Sequence, residues 1–245
     1  MADDGMMAVD EVLLLLADGE IVLEGLLPWS SNYTFLVTVT HQGRSVTAVY
    51  KPAAGERPLW DFDHASLCRR EVAAYVLSRA LKWPNVPPTV LRQGPHGPGS
   101  VQLFVQADHR EHFATLRADN KHDRAWRQIA LFDHLANNAD RKGGHVLLGQ
   151  DGRIWAIDHG LTFHHQPKLR TVIWDYAYQP ITAELLADLQ DLRRRTLSEQ
   201  RFWQTLGHLL NPDELDALQA RLDQLLVLGR FPAPGPNVNV PFPPV

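Results

Sequence analysis

Cysteine is almost missing: Cys68 is the single thiol in 245 residues. No internal disulfide can form, which suits a reducing cytoplasm, and an inert, buried thiol is expected at that position. Long apolar runs are missing too. Residues 12–16 fall far short of the ~18 residues a membrane span needs, and acids flank them. The first residues carry Asp3, Asp4 and Asp10 instead of a basic stretch, so no signal peptide is expected. Positive charge is not in excess. A formal net charge of -4 argues against general nucleic-acid affinity, which needs Lys and Arg to neutralise phosphates. There is no basic amphipathic helix, polybasic patch or cysteine cluster to anchor the chain on anionic lipid. No HExxH spacing links His134, His145, His159, His164 and His165, so a hydrolytic zinc centre is set aside.

What is present is the composition of a soluble globular protein, 44% apolar and 21% charged, long enough for one large domain or two small lobes. Residues 9–16 read as a short helix stopped near Asp18-Gly19. Residues 20–27, 34–40 and 45–50 alternate as strands, the last two joined at Gln42-Gly43. Residues 64–81 read as a helix, 89–92 and 100–106 as strands, and 107–117 as polar and irregular. A helix spans 123–137. After Phe163 the chain reads as helical, with Thr182, Ser198 and Asn211-Pro212-Asp213-Glu214 as start signals and Gly229 as a stop. Leucine stripes on these helices are ordinary core packing. Residues 232–245 hold six prolines and no charge, an extended tail on the surface or disordered.

The chain is organised around residues 132–163. Residues 145–148 and 153–157 read as two strands turning at Gly149-Gln150-Asp151-Gly152, where Asp-Gly supplies the positive φ of a tight hairpin. Asp140 lies just before the first strand and Asp158 just after the second, so both acids share the hairpin's open end. Two carboxylates with a further ligand between them can position a hydroxyl and hold a divalent cation on a phosphate. Elsewhere, Lys51 ends a strand and can reach a phosphate as a point charge. Glu71 sits mid-helix, where an acid that restrains such a lysine faces inward. Ser30-Ser31-Asn32 can lay N–H groups and hydroxyls over phosphates, or be an ordinary loop.

These pieces follow the frame of a kinase, in which a catalytic Asp precedes a metal-binding Asn by five positions and a second metal-binding Asp comes later. The segments Val49-Tyr50-Lys51-Pro52, Arg70-Glu71-Val72-Ala73-Ala74-Tyr75, Val86-Pro87-Pro88-Thr89, Gly99-Ser100-Val101-Gln102-Leu103-Phe104-Val105, Asn138-Ala139-Asp140-Arg141 and Ala156-Ile157-Asp158-His159-Gly160-Leu161 occur in order. Through them the chain resembles the phosphatidylinositol 3-/4-kinase superfamily, type II phosphatidylinositol 4-kinases most closely, in a bacterial branch. HipA-type protein kinases are similar in the same region. The resemblance implies an α+β, bilobal protein-kinase-like fold, with a β-rich nucleotide-binding lobe over 1–106, a mainly helical lobe over 107–231 and the tail at 232–245. It implies ATP and Mg²⁺, or Mn²⁺, as cofactors. Asp140, with Arg141 beside it, takes the catalytic place and Asp158 the metal. His145 stands where the family usually has asparagine, and imidazole suits Mn²⁺ or Zn²⁺ better than Mg²⁺. Lys51, paired with Glu71, would hold the phosphates together with Ser30, Ser31 and Asn32, and Leu103, Phe104, Val105 and Gln106 would meet the adenine. The implied activity is transfer of the ATP γ-phosphoryl group to a hydroxyl, on a protein Ser/Thr or small molecule before a lipid. A nucleotide-binding pseudokinase and a phosphatidylinositol kinase are the alternatives.

Overall fold

The computed structural model describes residues 7–28, 32–118, 120–198 and 200–244. The chain divides into two compact units, one taking residues up to Val72 with Pro87–Phe104, the other Ala73–Val86 with everything from Val105 on.

In the first unit, α1 (Val9–Asp18) leads into β1 (Glu20–Leu26), β2 (Phe35–His41) and β3 (Arg44–Pro52), and β4 (Thr89–Gly94) and β5 (Gly97–Leu103) complete an antiparallel sheet in the order β1-β2-β3-β5-β4. Gln42 and Gly43 turn β2 into β3 with φ of 49° and 77°, the left-handed pair a two-residue hairpin requires. Alternation along β2 and β3 sends Val37, Val39, Ala48 and Tyr50 inward, where Val12, Leu15 and Leu16 of α1 cover them. Each buried valine or leucine there contributes roughly 1.5–3 kcal/mol. Arg92 on β4 closes the end of α1, donating through Nη1 to Leu16 O at 2.9 Å and Gly19 O at 2.7 Å, a cation at the helix's negative end.

Helix α2 (Leu67–Ala80) begins three residues later than its spacing predicts. The Glu56 carboxylate caps it from outside, accepting from Leu67 N at 3.0 Å and Cys68 N at 2.8 Å. Cys68 is buried, and burial beside Glu56 pushes its thiol up to about 12, so it is inert as expected. From Ala73 on, α2 belongs to the second unit.

The second unit is mainly helical. α3 (Phe113–Leu116), α4 (Asp123–Ala136), α5 (Ala183–Ser198), α6 (Gln200–Gly207) and α7 (Pro212–Leu228) accompany a sheet of β6 (Ala107–His112), β7 (Val146–Gly149) and β8 (Ile154–Ala156) in that order. Leu185, Leu189, Leu192, Leu206, Leu218, Leu222 and Leu225 are buried, as their spacing predicts. Asn211 and Glu214 form a reciprocal capping box at 3.0 Å each way, and Gly229 ends α7 in the left-handed region. Asn85 docks its segment on β8, its carbonyl accepting from Ala156 N at 2.6 Å.

Four expectations change. Strand β5 stops at Leu103 instead of Gln106. Residues 107–116 form β6 and α3 where an irregular segment is expected, because β6 is an edge strand whose polar side chains meet solvent while its backbone pairs with β7. The stretch from Phe163 to Thr182 is not helical. Asn137 holds part of it by side-chain bonds, Nδ2 to His164 O at 2.8 Å and Gln166 O at 2.7 Å, and Oδ1 from Lys168 N at 2.9 Å. Ser198 does not start α6; its hydroxyl donates back to Arg194 O at 3.1 Å. The proline-rich tail lies along the second unit: Asn239 O accepts from Thr171 N at 2.9 Å, and Pro244 O from Gly143 N at 2.8 Å. Among the described residues no helix is long and apolar enough to cross a membrane.

Candidate active site

In the first unit, Lys51 lies near the end of β3, opposite Ser100 of β5. A Cβ on the neighbouring Gly99 would stand 2.5 Å from Lys51 O, so the close approach of the two strands here depends on glycine. The Lys51 Nζ donates to Glu71 Oε1 on α2. Glu71 is 1% exposed, so this mid-helix acid does face inward, toward the strand lysine. Asn32 accepts from Arg57 N at 2.9 Å through Oδ1, fixing the loop after β1. Ser30 and Ser31 lie outside the described residues. Leu103 N donates to Pro88 O at 2.9 Å and Phe104 N to Thr47 O at 3.0 Å, so those two N–H groups are already used.

In the second unit, Gln106 O accepts from Gln150 N at 2.9 Å. Among the described residues, the Val105 backbone takes part in no such bond, which leaves its peptide as the open part of the expected adenine contact.

The acids of the second unit are set by a buried ion pair. Helix α4 ends at Asn137 in the left-handed region, and its last turn carries Asp133 into the core. Arg141, 0% exposed, grips Asp133 with Nε at 3.1 and 3.0 Å and Nη2 at 3.0 Å. Its Nη1 donates to Ile157 O at 2.8 Å and His145 O at 3.2 Å, and its Nη2 to His159 Nε2 at 2.7 Å. Asp133 also accepts from Asn138 Nδ2 at 2.9 Å and Thr171 Oγ1 at 3.3 Å. One guanidinium, on the residue next to Asp140, therefore fixes both the peptide before Asp158 and the carbonyl of His145. Arg141, expected beside Asp140 in the catalytic place, turns into the core and positions its neighbours instead.

Asp140 is partly exposed, with Lys142 Nζ 3.2 Å from its Oδ2. Burial raises its carboxyl above the usual range, with His145 and Lys142 opposing, which makes it a better proton acceptor. Its carbonyl takes a bond from His145 Nδ1 at 2.9 Å. A carbonyl only accepts, so Nδ1 carries the proton and the Nε2 lone pair points elsewhere. Burial lowers the pKa of His145, which favours that neutral ring. Nε2 faces Asp158 Oδ2 at 3.3 Å. Two lone-pair donors facing each other repel unless a cation lies between them. Their separation is close to the about 3 Å between adjacent ligands of an octahedral ion with bonds of ~2.1 Å. The residues thus fit a divalent metal as two of its ligands. Among the described residues no group of three His, Cys, Asp or Glu side chains gathers, so the remaining ligands would be substrate oxygens and water. Asp158 holds its place in the left-handed region, φ 59°, with Ile157 N bonded to His145 O at 2.9 Å.

Sequence reasoning missed Asp133. Its signal was an acid on the same helical stripe as Trp126, Ile129 and Ala130, all buried.

Solved structures share this arrangement of elements. The Golgi casein kinase with Mn/ADP bound matches with a TM-score of 0.54 at 14% identity, over 90% of this chain and 75% of that one. Fam20 from hydra, solved with sugar, matches at 0.54 and 13%, over 92% and 89%. The Helicobacter pylori proinflammatory kinase CtkA matches at 0.53 and 12%, over 85% and 92%. These likenesses define the class as the α+β, bilobal protein-kinase-like fold, β-rich in its first part and mainly helical in its second. In sequence the chain is 37% identical to Protein Rv2133c of Mycobacterium tuberculosis, across 96% of this chain and 95% of that protein, and it belongs to that protein's family. No family model matches the sequence.

Proposed function

We propose that the protein is an atypical kinase that transfers the γ-phosphoryl group of ATP to a hydroxyl, in a branch of the phosphatidylinositol 3-/4-kinase superfamily, with a protein Ser/Thr, its own included, as the favoured acceptor. The observation that carries this reading is His145 Nε2 and Asp158 Oδ2 at 3.3 Å, with the Asp140 carboxylate near enough to feel both. A bound divalent ion supplies charge neutralisation on the phosphates, and Asp158 and His145 would hold it. Asp140 orients the acceptor hydroxyl and takes its proton as the new O–P bond forms and the bond to ADP breaks. Lys51, restrained by Glu71, offsets phosphate charge, and Val105 offers its peptide to the base. In this reading residues 1–106 serve the nucleotide, 107–231 the chemistry and 232–245 form a tail, in a reducing cytoplasm. The Mn/ADP held by the Golgi casein kinase supports a nucleotide and a metal here.

The test is label transfer from γ-labelled ATP with Mg²⁺ or Mn²⁺. Asp140→Ala should keep nucleotide binding and lose about 10²–10⁴-fold in transfer. Turnover that survives in Asp140→Ala refutes its assigned role. A second reading, a nucleotide-binding pseudokinase, is favoured by the histidine at 145 and by the Leu103 and Phe104 N–H groups being already bonded. It expects a thermal shift with ATP and metal but no transfer from the wild-type protein. Transfer only to phosphatidylinositol vesicles would instead select a lipid kinase.

A further inference from the structure

The second unit contains a cavity of about 310 Å³ between the end of α4, the 165–169 loop and α7. Asp140, His145 and Asp158 do not line it, and among the described residues no carboxylate stands in its wall. Arg221 of α7 is the one fixed charge among the described lining residues. Its Nε donates to Leu135 O at 2.8 Å and its Nη1 to His164 O at 3.4 Å, both neutral carbonyls. Its Nη2 is buried with no hydrogen-bond partner among the described residues. Burial pulls the guanidinium down to about 10, the mark of a cation short of solvation, with Glu214 acting against the fall. A buried donor on a cation is costly when unmatched, and a facing anion offsets that cost.

Burial lowers His134 to about 4, so it is neutral near pH 7. The Asn137 amide is committed to three backbone groups. One guanidinium, the one fixed charge among the described lining residues, matches a monoanion better than a phosphate dianion, and its planar edge matches a carboxylate's two oxygens. Much of the remaining wall is apolar, from Leu169, Ala217, Ala220 and Leu225. The volume lies at the lower end for small-molecule sites, which begin at about 300 Å³.

We propose that this cavity binds a small organic carboxylate, held by the guanidinium of Arg221, with its hydrocarbon part against Leu169, Ala217, Ala220 and Leu225. The site is independent of the kinase reading. Arg221 joins Leu135 O to His164 O, so the ligand would act on the chain just before Asn138-Ala139-Asp140 and just after the Asp158–Phe163 stretch.

The full-length chain should be titrated with acetate, butyrate and benzoate, and with benzyl alcohol and inorganic phosphate as controls, following heat release and melting temperature. Butyrate and benzoate should bind saturably and raise the Tm, acetate should bind more weakly, and the two controls should do neither. Arg221→Met should lose the response. Because that variant also loses two carbonyl bonds, Ala220→Leu is the second probe: it fills the cavity, keeps the arginine and should weaken benzoate at least tenfold. No saturable carboxylate binding, equal binding of benzyl alcohol or phosphate, or unchanged affinity in folded Arg221→Met or Ala220→Leu would each overturn the proposal.

Discussion

Replacing Asp133 by asparagine keeps the shape of the side chain and removes its charge. The carboxylate accepts from Arg141 Nε and Nη2, Asn138 Nδ2 and Thr171 Oγ1, so every neighbour is a donor. An amide presents its own two N–H groups to at least one of them. Arg141 and Asp133 are each 0% exposed, so water cannot take the place of the lost acceptor. Removing one partner of a buried ion pair costs about 3–5 kcal/mol, because the other charge stays buried. That is a large share of the ~5–15 kcal/mol that holds a typical domain together. At a urea slope of roughly 2 kcal/mol per M, the midpoint should fall by about 1.5–2.5 M with the slope unchanged. Tryptophan fluorescence and far-UV circular dichroism should report the same transition. Asp133→Leu combined with Arg141→Met buries no charge, so it should be less destabilised than the sum of its single variants. A midpoint shift under about 0.5 M for Asp133→Asn, or strict additivity in the double variant, would refute the claim that this pair holds the loop.

His145→Asn removes the imidazole donor and should shift metal preference from Mn²⁺ toward Mg²⁺ by roughly tenfold, read from the electron paramagnetic resonance of free Mn²⁺ in the presence of ADP. His134 sits edge-on to Trp174 at 5.5 Å and has its pKa lowered from 6.5 to about 4 by burial. The unfolded chain binds the proton more readily, so this contribution is complete above pH 6.5 and is lost as pH falls toward about 4, by about 3 kcal/mol in all. His134→Phe should flatten that part of the urea midpoint against pH. Gly99→Ala should lower stability by about 1–3 kcal/mol, since the new carbon meets Lys51 O at 2.5 Å. Gly144→Ala, with nothing within 4 Å of its Cβ, is the control and should meet no such clash.

How much of the fold was legible follows from how local each cause is. Helix α7 carries its own instructions: Asn211, Pro212 and Glu214 at the start, a leucine stripe, and Gly229 at the end. The β2–β3 hairpin announces itself through Gln42-Gly43. Strand β6 does not, because its evidence is a pairing between Ala107 and Gly149 and between His112 and Leu147, far along the chain. The start of α2 is displaced for the same reason, its capping carboxylate being Glu56, eleven residues before Leu67. The helical start signals and leucine stripes begin only at Thr182, and nothing local marks the stretch from Phe163 as non-helical: the amide of Asn137, 27 residues away from His164, provides bonds that hold it otherwise.

The candidate site divides along the same line. Asp140, His145 and Asp158 were legible because a hairpin with a clear Asp-Gly turn brings its two ends together whatever surrounds it. The roles of Asp140 and Arg141 were not separable, because adjacent residues face opposite ways and residue type does not say which way. Their surroundings differ in the structure: Arg141 is sealed in the core, whereas Asp140 stays partly open. Asp133 shows why that orientation is fixed. Once an acid occupies a buried helical stripe, a cation must meet it, and Arg141 is the guanidinium within reach. Meeting it commits Arg141 Nη1 to Ile157 O and His145 O. Those bonds hold Asp158 in a left-handed conformation that a non-glycine residue adopts at a cost of about 1 kcal/mol or more. The strained carboxylate and the imidazole then face each other across 3.3 Å with no proton between them in the neutral ring. On the proposed reading, the hidden ion pair would therefore also set the cation site, and removing Asp133 should weaken Mn²⁺ binding even in conditions where the chain stays folded.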